Sequence, residues 1–397
     1  MCIRDSDAPA SPQDLERLDV CWTASRGLIY TDGLAGAAFH AQHLRLALRC
    51  GDPVRVARAL AVEAHLSVAL GADPKLAEAQ ALIDRAQAIA DAVDSHYARG
   101  MIAECAGHVA IAVGDWLTCF ERLEQAIETF RTRCTGVAHE IGICRAHGAI
   151  CLQFMGRVPE LRERAYALLE ETRDRPNPYV TGFARGILGN MALLAPDRVD
   201  EAAEQLAIYQ HDAPRRFQGQ MVNYVCQTAA LERYRGRADR AYLMGETDEP
   251  VVAKLAVRRS PQVNAEVLLW RVQCILAGAT LVPDPRGRLG RAERSISALL
   301  AHPSAYARAY GELCQASAQS LLGNRDAART GLRAAIDLFA RGHMLAFEAC
   351  ANRRLAVLLE GEAAHGAQAA SDAAMARMGV VRPDRFTDMM APGFTRA

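Results

Sequence analysis

The sequence predicts an all-α protein, a right-handed α-solenoid of antiparallel helix pairs with a period of about 42 residues. Three observations predict this fold. Hydrophobic residues make up 51% of the chain but aromatic residues only 6%, so helix-favouring Ala and Leu dominate the apolar content. Apolar residues recur at helical spacing, and no run alternates apolar and polar residues as a strand would. Turn signals recur between these segments at a regular interval.

The stretch 114–133 contains one turn and one helix of this repeat. Gly114 ends one helix, because glycine enters the left-handed conformation at little cost, and Asp115 caps the next. Ala126 follows Gly114 by twelve residues and is small enough for two helices to approach closely. The apolar residues fall at steps of four and three on one face, and they are Trp116, Phe120, Leu123, Ile127 and Phe130.

The turns between helices define the period. Leu70-Gly71, Val113-Gly114 and Met155-Gly156 lie 43 and 42 residues apart. Similar steps continue the series at Ala195-Pro196, Arg235-Gly236, Ala277-Gly278, Leu322-Gly323 and Glu360-Gly361. A tetratricopeptide unit has about 34 residues, so each pair here is a slightly longer, tetratricopeptide-like unit. The stretch 321–339 repeats the pattern, with Ala335 twelve residues after its glycine.

Capping residues mark the helix starts. A side-chain oxygen before a proline favours a helix start, because proline at the first helical position loses no hydrogen bond. Four such dipeptides occur, at Ser11-Pro12, Asp52-Pro53, Asp73-Pro74 and Ser260-Pro261. Ser95, Asp115 and Asp197 are predicted caps without the proline.

The predicted organisation has four parts. Residues 1–6 match the translated end of a common sequencing transposon, and we treat them as a library scar, which implies that the natural protein begins upstream. Residues 7–280 form a helical repeat array, and 281–290 form a Pro/Gly-rich loop that is the predicted seam. Residues 291–397 hold the C-terminal repeats, with a tail that caps the last repeat.

Residues 245–250 are predicted to form a second, polar loop. The tail is predicted to contain a short helix, a turn at 380–383 and an apolar end at Met389, Met390 and Phe394.

Composition narrows the class of protein. Lys plus Arg equals Asp plus Glu, 46 each, which gives no support for a nucleic-acid or anionic-membrane partner. The 12 cysteines are scattered without a CxxC pair and indicate small buried residues in a reducing compartment. No apolar run approaches the roughly 18 residues of a membrane span, and no signal peptide is visible. We therefore expect a cytoplasmic location.

One group of residues has the spacing of soft metal ligands. Cys144, His147 and Cys151 share a helix face, and Cys105 with His108 makes a second pair. Zinc is the metal such ligands favour. The alternative is a packing face, since no paired knuckle motif is present.

Two further stretches have weaker chemical signatures. The stretch 287–291, Gly-Arg-Leu-Gly-Arg, resembles part of a phosphate-binding loop, but a following Lys-Ser/Thr and a preceding strand are missing, so an ordinary loop is expected. Arg131, Arg133, His139 and Glu140 surround a predicted helix start near Thr135, which favours either an anion site or a capped turn with solvated charges.

Catalytic motifs are missing from the sequence. It has no nucleophile elbow, no kinase Gly-rich loop, and no His-Arg-Asp or Asp-Phe-Gly motif. We therefore expect a non-enzyme, with no catalytic, cofactor-binding or metal-binding residues and no cofactor. The sequence does not identify the partner-binding residues.

Several short segments of the sequence resemble segments of a known protein family. The stretch 130–140, Phe-Arg-Thr-Arg-Cys-Thr-Gly-Val-Ala-His-Glu, resembles a segment of large bacterial serine/threonine protein kinases. Their kinase domain is followed by an AAA/STAND-type ATPase module and a long tetratricopeptide-like C-terminal array. Stretches 43–45 and 55–60 resemble the start of that array, and 375–380, 382–383 and 390–394 resemble its end.

The resemblance implies a fragment that lacks the kinase and ATPase domains, and a parent that is a serine/threonine protein kinase. The fragment is then a sensor or scaffold arm that binds a protein or peptide on its concave face and acts on the upstream modules in cis. The alternative is the effector- or partner-binding arm of a STAND/maltose-activator-like transcriptional regulator. A DNA-binding helix-turn-helix would accompany that alternative, and none follows Phe394.

Overall fold

The computed structural model describes residues 11–29, 31–69, 75–174, 176–212 and 218–394. Within these ranges the chain is helical and contains no strand, as predicted. The helices are α1 (Pro12–Leu28), α2 (Gly33–Cys50), α3 (Pro53–Ala69), α4 (Leu76–Ala92), α5 (His96–Val113), α6 (Trp116–Arg133), α7 (Ala138–Met155), α8 (Val158–Asp174), α9 (Pro178–Ile187), α10 (Val199–Asp212), α11 (Gln218–Tyr234), α12 (Ala238–Val252), α13 (Pro261–Ala279), α14 (Arg286–Gly290), α15 (Glu293–Leu300), α16 (Ala305–Leu321), α17 (Arg325–Arg341), α18 (Leu345–Leu358), α19 (Gly361–Met378) and α20 (Pro383–Met390).

Helices that follow one another in the chain pack as pairs, including α1 with α2, α3 with α4, α5 with α6, α16 with α17 and α18 with α19. This confirms the predicted helix pairs. One helix in each step begins 40 to 44 residues after the previous one, and these helices are α1, α3, α5, α7, α9, α11, α13, α16 and α18. The observed spacing agrees with the predicted period.

The stretch 114–133 forms the predicted turn and helix. Gly114 has φ +82° and ends α5, and the Asp115 carboxylate accepts a hydrogen bond from the Thr118 N–H at 3.1 Å. Trp116, Phe120, Leu123 and Phe130 are buried and Ile127 is half-buried, as the spacing predicts. Ala126 is fully buried.

Most predicted caps are confirmed where the structure describes them. Ser11, Asp52 and Ser95 accept hydrogen bonds from backbone N–H groups three residues ahead. Pro261 begins α13, as predicted. Three predictions lie outside the described residues: the cap at Asp73-Pro74, the turn at Leu70-Gly71 and the scar at 1–6.

Asp197 is not the predicted cap. It has φ +60°, α10 begins two residues later, and its carboxylate accepts a hydrogen bond from the Tyr234 hydroxyl at 2.8 Å. The carboxylate therefore bonds to a distant side chain instead of to the start of its own helix.

One predicted loop lies inside a helix, because residues 245–250 belong to α12. The predicted break at Ala277-Gly278 falls at the end of α13, where a turn follows Ala279. Gly245 and Gly278 both allow close helix contact. A Cβ on Gly278 would lie 2.5 Å from a Tyr242 ring carbon, and one on Gly245 would lie 2.7 Å from the Cys274 Cβ. The predicted loop at 281–290 contains α14 in its second half.

The described residues divide into two compact units. The first comprises the chain to Gly148 with two short segments near 214–219 and 259–261, and the second comprises the remainder. In the first unit α3 packs on α5, and each also packs on its own partner helix. In the second unit the turn at Gly156 lies against Leu345 and Met378, so the first and last helix pairs of that unit touch.

The tail contains the predicted short helix, α20, and its apolar residues are buried. It does more than cap the last pair. Residues Pro383–Phe394, which we call the tail segment, contact side chains from α11, α13, α16 and α18 within the second unit. The tail segment therefore lies against helices from several successive steps of the repeat.

No described helix combines the length and the apolar character needed to cross a membrane.

Glycine at a helix contact gives a direct test of the pairing. A Cβ on Gly100 would lie 2.4 Å from the buried Phe130 ring, so we expect Gly100→Ala to lower the free energy of unfolding by about 1–3 kcal/mol in urea titrations. The matched control is Gly366→Ala in α19, where a Cβ would meet no atom within 4 Å. The control is expected to gain up to about 1 kcal/mol. Equal effects of the two substitutions would contradict the observed contact.

Candidate functional site

The first unit buries an ion pair between helices. The Arg26 guanidinium of α1 donates to the Glu104 carboxylate of α5 at 2.8 Å, and Glu104 is fully buried. Burial raises the pKa of Glu104, and the positive charge of Arg26 opposes that rise. The ion pair holds two helices of different pairs together, because a buried carboxylate needs a compensating charge.

A row of histidines continues this polar layer across α3, α5 and α7. His108 Nε2 lies 2.7 Å from His147 Nδ1, and the His65 ring centroid lies 4.6 Å from that of His108. Burial lowers the pKa of His65 to about 3 and that of His147 to about 4, so these imidazoles are neutral near pH 7. Neutral rings can share one proton as donor and acceptor, which fits the short His108–His147 contact.

A third group binds α1 to α3. The Asp19 carboxylate accepts hydrogen bonds from Arg55 and Arg58, and the Arg55 bond is the main reason that its pKa is lowered. The Arg58 guanidinium lies 4.5 Å from the centre of the Trp22 ring, within the range of a cation–π interaction. Asp52 also pairs with Arg55, so the group contains two carboxylates and two guanidinium groups that face one another.

The candidate zinc ligands are not arranged around a metal position. Cys105, Cys144 and Cys151 are fully buried, and burial raises the pKa of the Cys105 and Cys144 thiols, so both are protonated. His108 and His147 come together, but they contact each other. Within the described ranges no group of three or more His, Cys, Asp and Glu side chains is arranged to hold a metal ion. The eleven described cysteines are free thiols.

The stretch 287–291 is not a phosphate-binding loop. Gly287, Arg288 and Gly290 lie in α14, the Arg288 guanidinium stacks on the Tyr242 ring with 4.4 Å to its centre, and Leu289 is buried. Arg291 forms an ion pair with Glu246 and donates to the Tyr242 hydroxyl. These arginines fasten the segment to α12.

The arginines near Thr135 do not converge. Arg131 forms an ion pair with Glu128 on its own helix, and the Glu140 carboxylate accepts a hydrogen bond from the Tyr97 hydroxyl at 3.1 Å. Arg133, Thr135 and His139 are exposed. The exposed charges fit the second alternative, but α7 begins at Ala138, three residues after the predicted cap at Thr135.

The first unit also has a surface groove of about 400 Å³ between α4 and α6, with α5 as its floor. Polar side chains such as Gln87, Arg99 and Gln125 form its rim, and Ala106 and Ala110 lie within it. Arg99 is paired with Asp91 and Asp94.

The second unit holds the tail segment by its backbone. Three consecutive carbonyl oxygens accept hydrogen bonds from side chains of three different helices. Arg233 of α11 donates through Nε to the Met389 oxygen at 2.9 Å, and Gln273 of α13 donates to the Met390 oxygen at 2.7 Å. Arg354 of α18 donates through Nε to the Ala391 oxygen at 2.9 Å. We call these three side chains the carbonyl clamp.

Side chains of the tail segment add specific contacts. Asp388 accepts a hydrogen bond from Arg354 at 2.7 Å, and Asp384 accepts one from Arg353 at 2.8 Å. The Phe394 ring lies under the Arg354 guanidinium, and its centre is 5.1 Å from the guanidinium carbon. Phe386 and Met389 are fully buried, so the segment contributes apolar as well as polar contacts.

Sequence reasoning did not identify the carbonyl clamp. Arg233, Gln273 and Arg354 stand on otherwise apolar helix faces, which is the one signal that singles them out. Each is at most 9% exposed, and long polar side chains are rarely buried unless they are paired. The partners are backbone atoms more than 35 residues further along the chain, so no local pattern could indicate them.

The Arg26–Glu104 ion pair generates a stability prediction. Glu104→Ala leaves a buried guanidinium without its carboxylate, so we expect a loss of about 3 kcal/mol in the free energy of unfolding. Glu104→Gln keeps a hydrogen-bond acceptor and is expected to lose less. A loss below that of the exposed control Glu128→Ala would show that the ion pair does not form.

The histidine row generates a pH prediction. The folded-state pKa values of His65 and His147 lie below the ordinary value of 6.5, so the unfolded chain binds more protons as the pH falls. Stability from these groups is complete above about pH 6.5 and is lost as the pH falls towards 4. We expect the Tm to fall over this range, and to fall less steeply in His147→Gln. A parallel decline in both proteins would contradict the burial of neutral imidazoles.

Models of known protein families give no match to the chain, and no curated protein matches it either. A function for it therefore rests on the residues and contacts described above.

Proposed function

We propose that the chain is a non-catalytic interaction arm, a sensor or scaffold that binds a peptide segment of a partner protein. The observation that carries this proposal is the carbonyl clamp. Side chains from α11, α13 and α18 hold a chain segment by its main-chain oxygens, with distances of 2.7–2.9 Å. Main-chain recognition is how peptide-binding surfaces gain affinity, while pockets for side chains supply specificity.

The helix pairs support the same proposal. The helix pairs recur every 40–44 residues and pack against one another. In a repeat array, each repeat likewise buries its apolar faces against its neighbours. We propose that the array is a right-handed, tetratricopeptide-like solenoid whose inner helices are the binding elements. In such arrays an inner surface built from many helices offers an extended site to a polypeptide.

The titratable groups support a binding role over a catalytic one. Arg26 is paired with Glu104, Asp19 with Arg55 and Arg58, and His108 with His147. An active site needs groups that converge on a place where substrate can lie. In the part of the chain that the structure describes, these groups pair with one another instead.

The resemblance to large bacterial serine/threonine kinases extends the proposal to the parent protein. There the arm is joined to an AAA/STAND-type ATPase module and a kinase domain. Binding of a partner to the arm then biases the activity of those modules. An upstream reading frame without kinase or ATPase motifs would remove this part of the proposal and leave the binding role intact.

Selection from a displayed library of random peptides tests the binding role. The purified chain is used in two forms, complete and ending at Arg382, and each is checked for helicity by circular dichroism. We expect at least one folded form to enrich a family of peptides that bind with micromolar dissociation constants.

Two folded forms that enrich no peptide would contradict the proposal. Arg341→Gln provides a matched control, because Arg341 is exposed and its recorded partner is Asp337 on its own helix. Peptide binding is expected to survive this substitution unchanged.

A further inference from the structure

We propose that the tail segment is a displaceable, intramolecular ligand, and that the surface beneath it is a receptor for the carbonyl end of a short helix followed by an apolar residue. This inference rests on the proposed function and names its site and its ligand. A partner segment of the same chemistry would bind by replacing the tail segment. The chain would then be self-inhibited until such a partner arrives.

The carbonyl clamp is suited to a helix end. The last four carbonyl groups of a helix have no partner within the helix, and the helix dipole makes that end negative. Met389 and Met390 close α20, and Ala391 follows it. Cationic and amide donors from three helices supply the partners that these oxygens lack. Arg233 and Gln273 donate to main-chain oxygens of the tail segment, so a different sequence with the same backbone can satisfy these two donors.

The charge of Arg233 also favours a helix end as the ligand. Arg233 is 6% exposed, and burial lowers its pKa. Among the described residues its recorded acceptors are neutral, namely the Met389 carbonyl, the Gln273 side-chain oxygen at 2.8 Å and the Cys274 sulfur at 3.8 Å. A buried cation without a carboxylate is compensated here by the negative end of a helix. Without that helix the guanidinium would face an empty site suited to the same ligand.

Side-chain contacts define which segment fits. An acidic residue at the position of Asp388 meets Arg354, and an aromatic residue at the position of Phe394 lies beneath the same guanidinium. Gly393 between them has φ +99°, and a Cβ there would lie 3.1 Å from the Ser317 Cβ. The fitting partner is therefore a short amphipathic helix with an acidic residue in its last turn, then a glycine and a large apolar residue.

The connection to the rest of the chain permits release. Gly379 ends α19 with φ +71°, and Val381 is 59% exposed. The connecting residues touch the neighbouring turn at two points: the Val381 N–H donates to the Ala195 oxygen at 2.8 Å, and the Arg382 guanidinium lies 3.9 Å from the Asp197 carboxylate. The Val380 N–H bonds back to α19. The tail segment can therefore leave without the unwinding of α19.

The test uses the complete chain with a specific protease site inserted after Gly379. Cleavage of the folded protein leaves the tail segment bound without a covalent link. A fluorescent synthetic peptide of residues 383–394 is then added in excess, and its uptake is followed by fluorescence anisotropy. We expect the labelled peptide to replace the cleaved tail while circular dichroism shows an unchanged helical content.

Variants define the site. We expect Asp388→Lys in the peptide to weaken uptake at least about tenfold, the loss expected for a hydrogen bond to a charged group. Arg354→Gln in the chain should remove this difference between the two peptides, because it removes the partner of Asp388. Arg341→Gln in the chain is the matched control and should bind as the unchanged protein does. A peptide with Gly393→Ala should also bind more weakly, because of its positive φ.

A cleaved chain that stays folded and takes up no peptide, or that unfolds when the tail leaves, would overturn the inference. If the inserted site prevents folding, the uncleaved chain with Asp388→Lys and Phe394→Ala replaces it, and it should bind the labelled peptide more tightly than the unchanged chain. Peptides from the library that bind without competition from residues 383–394 would support the proposed function while contradicting this inference.

Discussion

Close contact between paired helices, made possible by glycine, is the constraint on which both units depend. Gly100 lies beneath Phe130 and Gly311 beneath Leu300, at separations where any Cβ would overlap its neighbour. Such contacts fix how near two helices come and therefore which side chains of successive pairs meet. Glu104 and His108 of the polar layer lie on α5, and Gln273 of the carbonyl clamp lies on α13, and each of these two helices makes such a contact.

The two units satisfy their buried polar groups differently. In the first, Arg26 and Glu104 compensate each other, and the neutral His108 and His147 rings form a hydrogen bond between α5 and α7. In the second, Arg233 and Arg354 take their acceptors from the end of another helix. A buried polar group without a partner is costly, so the first arrangement favours stability alone. The second makes the satisfaction of a buried cation depend on a segment that can be exchanged.

Local signals made the helix pairs predictable, and distant contacts set the limits of that prediction. The face of α6 and the caps at Ser11 and Asp115 follow from residues close in sequence. The predicted loop at 245–250 is wrong, because Gly245 serves a close helix contact and the sequence does not show the facing Cys274. The clamp pairs α11, α13 and α18 with residues 389–391, and no spacing rule connects those stretches.

Buried arginines hold a helix end in the second unit, and the exchange of their Nε–H protons with water tests this. Nuclear magnetic resonance of the complete chain, with ¹⁵N-labelled arginine, reports the Nε–H groups one by one. We expect slow exchange at Arg233 and Arg354 and fast exchange at Arg286, whose side chain is 77% exposed. Exchange at Arg233 and Arg354 as fast as at Arg286 would contradict this expectation.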